Sequence, residues 1–293
     1  MRIAFVGLGV MGAPMAAHLQ RAGHEVRGHN RSPGKGAELE AAGGTTVDTL
    51  PEALEGAEAV CLMLPDGPDV EAVMGGDEGV LARAAAGTLL VDFSTISPAV
   101  ARRVAGQAAD RGMPMVDAPV SGGQAGAQEA RLSVMVGGEE DAVRAALPLL
   151  EAVGATVVHV GPPGAGQVVK AANQVVVAGN IQVLSEAVVL LESQGIALEE
   201  ALDVLAGGLA GSAVLTQKRG NLVGRSFEPG FRMELHDKDL RIAGGLAADS
   251  GLDLPVARAV AALVAQALED GDAALDHSAL IRGLDRRTSG GTR

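Results

Sequence analysis

The first half of the chain alternates between two hydrophobic patterns. Short apolar runs occupy positions 3–6, 25–29, 59–64, 88–92, 114–118, 132–136 and 156–160. They are continuous and rich in β-branched residues, as strands buried on both faces require. Between them lie amphipathic stretches of about ten to fifteen residues, the length of crossover helices. Ser32-Pro33 and Ser97-Pro98 each set a capping hydroxyl before a proline suited to the first helical position, so helices are expected to begin there. Strand and helix repeated in this way predict an α/β domain with a doubly wound, mostly parallel sheet.

The pattern changes after Gly161-Pro162-Pro163-Gly164. This break predicts two domains, 1–162 and 163–293, the second all-helical. Residues 167–193 are apolar with scattered polar positions, like a helix buried on nearly all sides. Further helical periodicity covers 198–208, 212–223, 234–250, 255–270 and 276–286, and 286–293 is expected to be a frayed tail.

Composition narrows the function. Of 293 residues, 47% are hydrophobic and 20% charged, enough for real cores. The net charge of −13 argues against nucleic acid as a partner, since phosphate binding needs a basic face. Four Phe with no Tyr or Trp leave no stacking platform. A local pocket on an acidic protein can still be positive, so a small anionic substrate stays open. The single cysteine, Cys61, excludes a disulfide framework or a cysteine-based zinc site within one chain. No His, Cys and carboxylate spacing suggests a metal. The chain opens without a signal-peptide pattern, and no uninterrupted apolar run reaches the ~18 residues of a membrane span. A cytoplasmic protein with no membrane partner is the expectation.

Glycine placement introduces the chemistry. Gly7-Leu8-Gly9-Val10-Met11-Gly12 follows the first strand and opens a helix. That context suits a dinucleotide: glycines allow the tight turn, backbone approach to a pyrophosphate and close helix–strand packing, while the helix N-terminus faces the phosphates. A generic strand-to-helix turn is the plainer alternative. The second strand ends in His29-Asn30-Arg31-Ser32, without the acid that bonds an NAD ribose. Arg31 and Ser32 suit a 2′-phosphate or the adenine, which favours NADPH over NADH, unless Arg31 is simply a solvated charge. Three further segments carry polar groups in apolar settings. Ser121-Gly122-Gly123 offers a hydroxyl and unshielded N–H groups to an anion such as a carboxylate, or else forms an ordinary turn. Lys170, Asn173 and Gln174 share one helical face. A lysine there is either snorkelling or buried, with its pKa lowered towards proton transfer. Lys238-Asp239 stands in a charged helical run that by itself reads as solvated.

Together and in order along nearly the whole chain, these segments resemble the β-hydroxyacid dehydrogenase family. The matching stretches are Gly7 through Leu19, Asp117 through Gly123, Gly166 through Gln174, and Lys238-Asp239-Leu240. The family often has Asn where this chain has His18, a variant read as tolerated and not catalytic. The resemblance implies a Rossmann-type N-terminal domain and an NAD(P)H cofactor held by Gly7 to Gly12, Asn30, Arg31, Ser32, Leu64, Pro65, Thr95 and Lys238. It implies Lys170 as general acid and Asn173 as a second catalytic residue that orients substrate. Ser121, Gly122, Gly123, Gln174 and Lys238 would bind a small carboxylate-bearing substrate. Homodimers or homotetramers are implied as well.

Within the family, Gln174, the run 207–215 with Phe231 through His236, and Asp276 through Leu280 look most like tartronate semialdehyde reductases. The expected reaction is reduction of a semialdehyde to a β-hydroxyacid. Oxidation of 3-hydroxyisobutyrate, reduction of succinate semialdehyde or glyoxylate, imine reduction and a non-catalytic redox sensor are the alternatives. Lys170 speaks against imine reduction, and Lys170, Asn173 and Lys238 together speak against a sensor. His236 would either line the pocket or make a structural polar contact.

Overall fold

A computed structural model describes residues 1–289. It forms two compact units, Met1–Lys170 and Ala171–Arg293. The first contains β1 (Arg2–Val6), α1 (Gly12–Arg21), β2 (Glu25–His29), α2 (Ala37–Ala41), β3 (Thr45–Val47), α3 (Leu50–Leu54), β4 (Ala59–Leu62), α4 (Gly67–Met74), α5 (Val80–Arg83), β5 (Leu89–Asp92), α6 (Pro98–Ala109), β6 (Met115–Asp117), β7 (Val120–Ser121), α7 (Gly123–Gln128), β8 (Leu132–Gly138), α8 (Glu140–Glu151) and β9 (Gly154–Gly161). The strand order is β3-β2-β1-β4-β5-β6-β8-β7, with β9 beside β8. Every ladder from β3 across to β6 is parallel. β8 runs antiparallel to β6 and β7 and parallel to β9.

The continuous apolar runs serve two cores at once. Ile3 and Phe5, Ala59 and Cys61, and Leu89 and Val91 face one core. Ala4 and Val6, Val60 and Leu62, and Leu90 face the other. The period-two alternation of strand side chains thus fills both layers beneath the helices. Burial pushes the Cys61 thiol far above its usual range, so it packs as a small apolar side chain.

Two strands were not visible as apolar runs. β3 is three residues, Thr-Thr-Val, at the sheet edge, and β7 is only two. The capping hydroxyls fared differently. Ser97 Oγ accepts from the Val100 N–H at 3.2 Å and opens α6 at Pro98. Ser32-Pro33 opens nothing: its carbonyl is held by Asn30 Nδ2, Gly34 takes φ +77, and α2 starts later behind Gly36.

The second unit consists of α9 (Ala165–Ser193), whose opening turns belong to the first unit, then α10 (Leu198–Gly207), α11 (Ala213–Gly224), α12 (Met233–Asp249), α13 (Pro255–Glu269), a 3₁₀ turn (His277–Leu280) and α14 (Ile281–Ser289). The expected frayed tail is therefore helical to Ser289, and residues 290–293 lie outside the described residues. α9 departs from the expected all-round burial. Ala178 and Ile181 pack into a core with Met233, Leu240, Val260 and Val264. Val176, Val183 and Leu190 on another face are 58–64% exposed. Among the described residues α9 is also the one helix long and apolar enough to cross a bilayer by length and composition. A count of uninterrupted apolar residues misses it because buried polar side chains, among them Lys170, Gln174, Gln182 and Ser185, interrupt the run.

Asp276 ties this unit together. Its carboxylate accepts from Lys218 Nζ at 2.9 Å, from the Gly230 and Phe231 N–H groups at 3.0 and 3.1 Å, and from Ser278 Oγ at 2.7 Å. Burial alone would push it up; the charge of His277, with Lys218 and Ser278, outweighs this and holds it down at about 2. A depressed carboxylate contributes stability above its unfolded pKa and loses it as pH falls through the folded one. The contribution therefore fades between about pH 4 and pH 2. Asp276→Asn should cost more in denaturation midpoint at about pH 7 than at about pH 3. An equal loss at both would show that its charge does not stabilise the fold.

Candidate active site

β1 neighbours β2 on one side and β4 on the other, so strand order reverses at its carboxyl end. Open α/β sheets bind ligands at such a switch point. The glycine loop lies there. A Cβ on Gly12 would stand 1.8 Å from the Gly7 carbonyl oxygen, so α1 can approach β1 only with glycine at that place. A Cβ on Gly9 would meet nothing of the chain within 4 Å. The space beside Gly9 is open to a ligand. α1 has no side-chain cap and no acid in its first turn. Pro14 has no N–H, and those of Ala13 and Met15 are taken by the Gly9 and Met11 carbonyls, so α1 offers an anion the Gly12 N–H and the positive end of its dipole.

The other expected cofactor residues surround this loop in different ways. Leu8 turns into the core, and its N–H donates to Asn30 Oδ1 at 2.9 Å, so Asn30 fixes the loop's shape. Val10 is exposed and Met11 half-buried. Arg31 is 87% exposed and pairs with Asp69 at 3.3 Å, a surface contact weak enough to be exchanged for a phosphate. Ser32 is exposed. Leu64 and Pro65 follow β4, where the Leu64 N–H donates to Ser94 Oγ at 2.9 Å, and Thr95 follows β5. Open backbone at Gly9, an uncapped helix end and no acid after β2 fit a dinucleotide.

Lys170 owes its place to Asp117. That carboxylate, at the end of β6, accepts from the Gly164 N–H at 2.6 Å and the Gln167 N–H at 3.1 Å, capping α9. Burial pushes the Asp117 carboxyl up, against the lowering effect of N–H bonds from Gly164, Gln167, Gly166 and its own residue. Gln167 then grips the loop after β5: its Nε2 donates to the Ser94 carbonyl at 2.8 Å, and its Oε1 accepts from the Ile96 N–H at 3.1 Å. Lys170, three residues further, is only 6% exposed. Ser121, Gly122 and Gly123 are half-buried at the end of β7, with both glycines at positive φ. The positioning by Asp117 and Gln167 was not foreseen from sequence. An acid closing a buried strand and an amide three residues before the lysine were the available signals.

In the helical unit a chain of polar contacts starts at the next turn of α9. Asn173 Nδ2 donates to Gln174 Oε1 at 2.9 Å, and Gln174 Nε2 donates to Asp239 Oδ2 at 2.6 Å. Asp239 Oδ1 lies 3.2 Å from Lys238 Nζ, and both residues are buried. Gln174 thus spends its amide on neighbours. His236 is fully buried, with Nε2 3.2 Å from the Gln174 carbonyl oxygen and Nδ1 3.0 Å from Nδ1 of His277. Phe231 stands edge-on to both imidazoles. A carbonyl only accepts, so His236 Nε2 carries a proton, and one proton is shared between the facing Nδ1 atoms. His236 therefore makes the structural contact. In the first unit a ring nitrogen of His18 is bonded to the Gln128 carbonyl at 2.9 Å. Among the described residues no group of three or more His, Cys, Asp or Glu could hold a metal ion.

Comparison with known proteins places these features. The family described as the NAD binding domain of 6-phosphogluconate dehydrogenase matches residues 2–161. The one described as NAD-binding of NADP-dependent 3-hydroxyisobutyrate dehydrogenase matches residues 164–284. The chain is 39% identical to the 2-hydroxy-3-oxopropionate reductase of Escherichia coli (strain K12), over 97% of both chains. It is 36% identical to an NAD-dependent L-serine dehydrogenase of Pseudomonas aeruginosa, over 97% of this chain and 98% of that one. A solved structure of Mycobacterium tuberculosis 3-hydroxyisobutyrate dehydrogenase with L-serine is similar at TM-score 0.85 and 38% identity, covering 96% of this chain and 98% of that one.

The two glycines separate folding from binding. Gly9→Ala should leave thermal unfolding of the free protein unchanged while weakening nicotinamide dinucleotide binding at least ~10-fold, read by cofactor fluorescence titration. Gly12→Ala should lower the unfolding midpoint itself. Wild-type cofactor affinity in Gly9→Ala would place the pyrophosphate elsewhere.

Proposed function

The chain belongs to the β-hydroxyacid dehydrogenase family of NAD(P)-dependent oxidoreductases, and from that premise we propose that it reduces tartronate semialdehyde to glycerate, preferentially with NADPH. The observation that carries the reaction class is Lys170, a lysine buried beyond a doubly anchored helix start in the same unit as the dinucleotide loop. The observations that favour this substrate are Gln174 and the Phe231–His236 and Asp276–Leu280 segments, together with the similarity to a reductase of 2-hydroxy-3-oxopropionate, the same compound.

A reduced nicotinamide, when bound, supplies the hydride. Lys170 as ammonium hydrogen-bonds the aldehyde oxygen and donates a proton to it as negative charge develops there. The amine recovers its proton from solvent, and in the reverse direction it is the base. Ser121 Oγ and the Gly122 and Gly123 N–H groups bind the substrate carboxylate and so orient the carbonyl. Asn173, one turn beyond Lys170, orients the substrate. Lys238, held by Asp239, is the anion-binding lysine of the helical unit. The missing acid after β2 and the weakly held Arg31 favour a 2′-phosphate.

We also propose that the chain assembles with copies of itself through α9. Ala172, Val176, Gly179, Val183, Glu186 and Leu190 recur at alternating steps of four and three, the seam of a paired helix. Antiparallel pairing about Gly179 sets Glu186 against the small Ala172 of the second copy and keeps like charges apart. Val176→Glu with Val183→Glu should reduce the mass measured by light scattering from a homodimer or homotetramer to smaller species; an unchanged mass would remove α9 from the interface.

The assay that tests the reaction follows oxidation of NADPH and NADH with tartronate, methylmalonate and succinate semialdehydes, and cofactor reduction with 3-hydroxyisobutyrate and L-serine. Tartronate semialdehyde with NADPH should give the highest kcat/KM. Lys170→Ala should keep cofactor binding and lose ~10²–10⁴-fold in turnover. Arg31→Ala should raise KM for NADPH and leave NADH unaffected. Undiminished turnover in Lys170→Ala would overturn the acid assignment. Preference for another substrate would move the chain within the family, and cofactor binding without turnover would favour a redox sensor.

A further inference from the structure

The family resemblance implies that Gln174 stands beside the substrate, yet its own contacts point to a different task. The residue is 4% exposed and engaged at both ends of its amide. The direction of that amide is forced. Asp239 offers a carboxylate, which only accepts, so Gln174 must present Nε2 to it. Oε1 then faces Asn173, whose own amide must turn Nδ2 towards it. The acceptor left over is Asn173 Oδ1, which meets no hydrogen-bond donor among the described residues. The backbone beneath is fixed as well, because His236 grips the Gln174 carbonyl and His277 shares a proton with His236.

We propose that Asp239 and Gln174 are positioning residues that set which end of the Asn173 amide is offered to the substrate. The carboxylate dictates one polarity and the two amides hand it on, so Asn173 presents an oxygen acceptor on the turn after Lys170. This rests on the reduction proposed above, in which Asn173 orients the substrate. A well-packed apolar contact at 174 and 239 could fix α9 against α12 equally well but could not choose between the oxygen and nitrogen of Asn173. The choice needs an ionised group at the head of the relay, and Asp239, ion-paired to Lys238, is that group.

The relay can be broken and rebuilt without changing its shape. Asp239→Asn keeps the volume but can present either a donor or an acceptor to Gln174, so the compulsion is lost. Its kcat should fall roughly 10- to 100-fold, the scale of a lost charge-assisted hydrogen bond, with cofactor affinity and unfolding midpoint near wild type. Adding Gln174→Glu to Asp239→Asn moves the carboxylate one step along the relay. The relocated carboxylate would accept from the new amide at position 239 on one oxygen and from Asn173 on the other, restoring the polarity. The double variant should return to within about threefold of wild-type kcat. A merely structural role predicts no such recovery. If Asp239→Asn does not fold, Gln174→Met, which keeps length and loses both amide bonds, should show the same fall in kcat.

An activity-free readout separates this proposal from the reaction it rests on. The side-chain NH₂ signals of Asn173 and Gln174 in ¹⁵N spectra should exchange slowly in wild type, quickly in Asp239→Asn, and the Asn173 signal slowly again in the double variant. Wild-type kcat in Asp239→Asn, or a double variant no better than the single one, would overturn the relay while Lys170→Ala still reports on the reaction. Undiminished turnover in Lys170→Ala would instead overturn the reaction and leave the amide signals to decide the relay.

Discussion

The Asp117 carboxylate is the contact on which the placement of Lys170 depends. It sits at the end of a buried strand, where an anion is costly, and its compensation comes from N–H groups at the start of α9. Strand end and helix start cannot move apart without stranding a buried carboxylate. The junction is tight enough that a Cβ on Gly166 would stand 2.3 Å from the Met135 carbonyl oxygen and 2.8 Å from Asp117 Oδ2. Gln167 adds a second clamp, to the loop after β5. The start of a 29-residue helix is therefore fixed against the sheet, and the place of Lys170 on its opening turns is set by that junction.

The sheet was legible because its strands are buried on both faces, and such strands announce themselves as unbroken apolar runs. β3 and β7 were not, since two or three residues at an edge carry no period. Ser97-Pro98 and Ser32-Pro33 look alike in sequence; what separates them is Gly34 at positive φ and the Asn30 side chain, which holds the second pair in a turn. The apolar residues on all sides of α9 make it read as buried throughout. Its packing within one chain covers only part of them, and periodicity does not distinguish a core partner from a second copy.

The site was legible to a different depth at each residue. Lys170 stood out as a lysine in an apolar helix opening, and the glycine loop stood out by context. Asp117, Gln167, Asp239 and His236 did not, because their importance lies in what they hold, and long-range partners leave no mark on local pattern. The Gln174 contacts are 62 and 65 residues away in sequence, on α12. The resemblance implies that Gln174 neighbours the substrate; its hydrogen bonds set it between the Asp239 carboxylate and the Asn173 amide. Buried polar groups in both units thus serve α9, fixing its start in one and giving its side chains a single polarity in the other.

In the proposed reaction the Lys170 ammonium delivers the proton to the reacting oxygen. Chemical rescue tests it most directly: Lys170→Ala, saturated with NADPH and tartronate semialdehyde, is titrated with small primary amines. Turnover should rise with amine concentration, and ammonium-sized donors should outperform bulkier ones, since they enter the space the side chain leaves. A variant that binds cofactor and stays inactive at every amine concentration, or one active without amine, would contradict it.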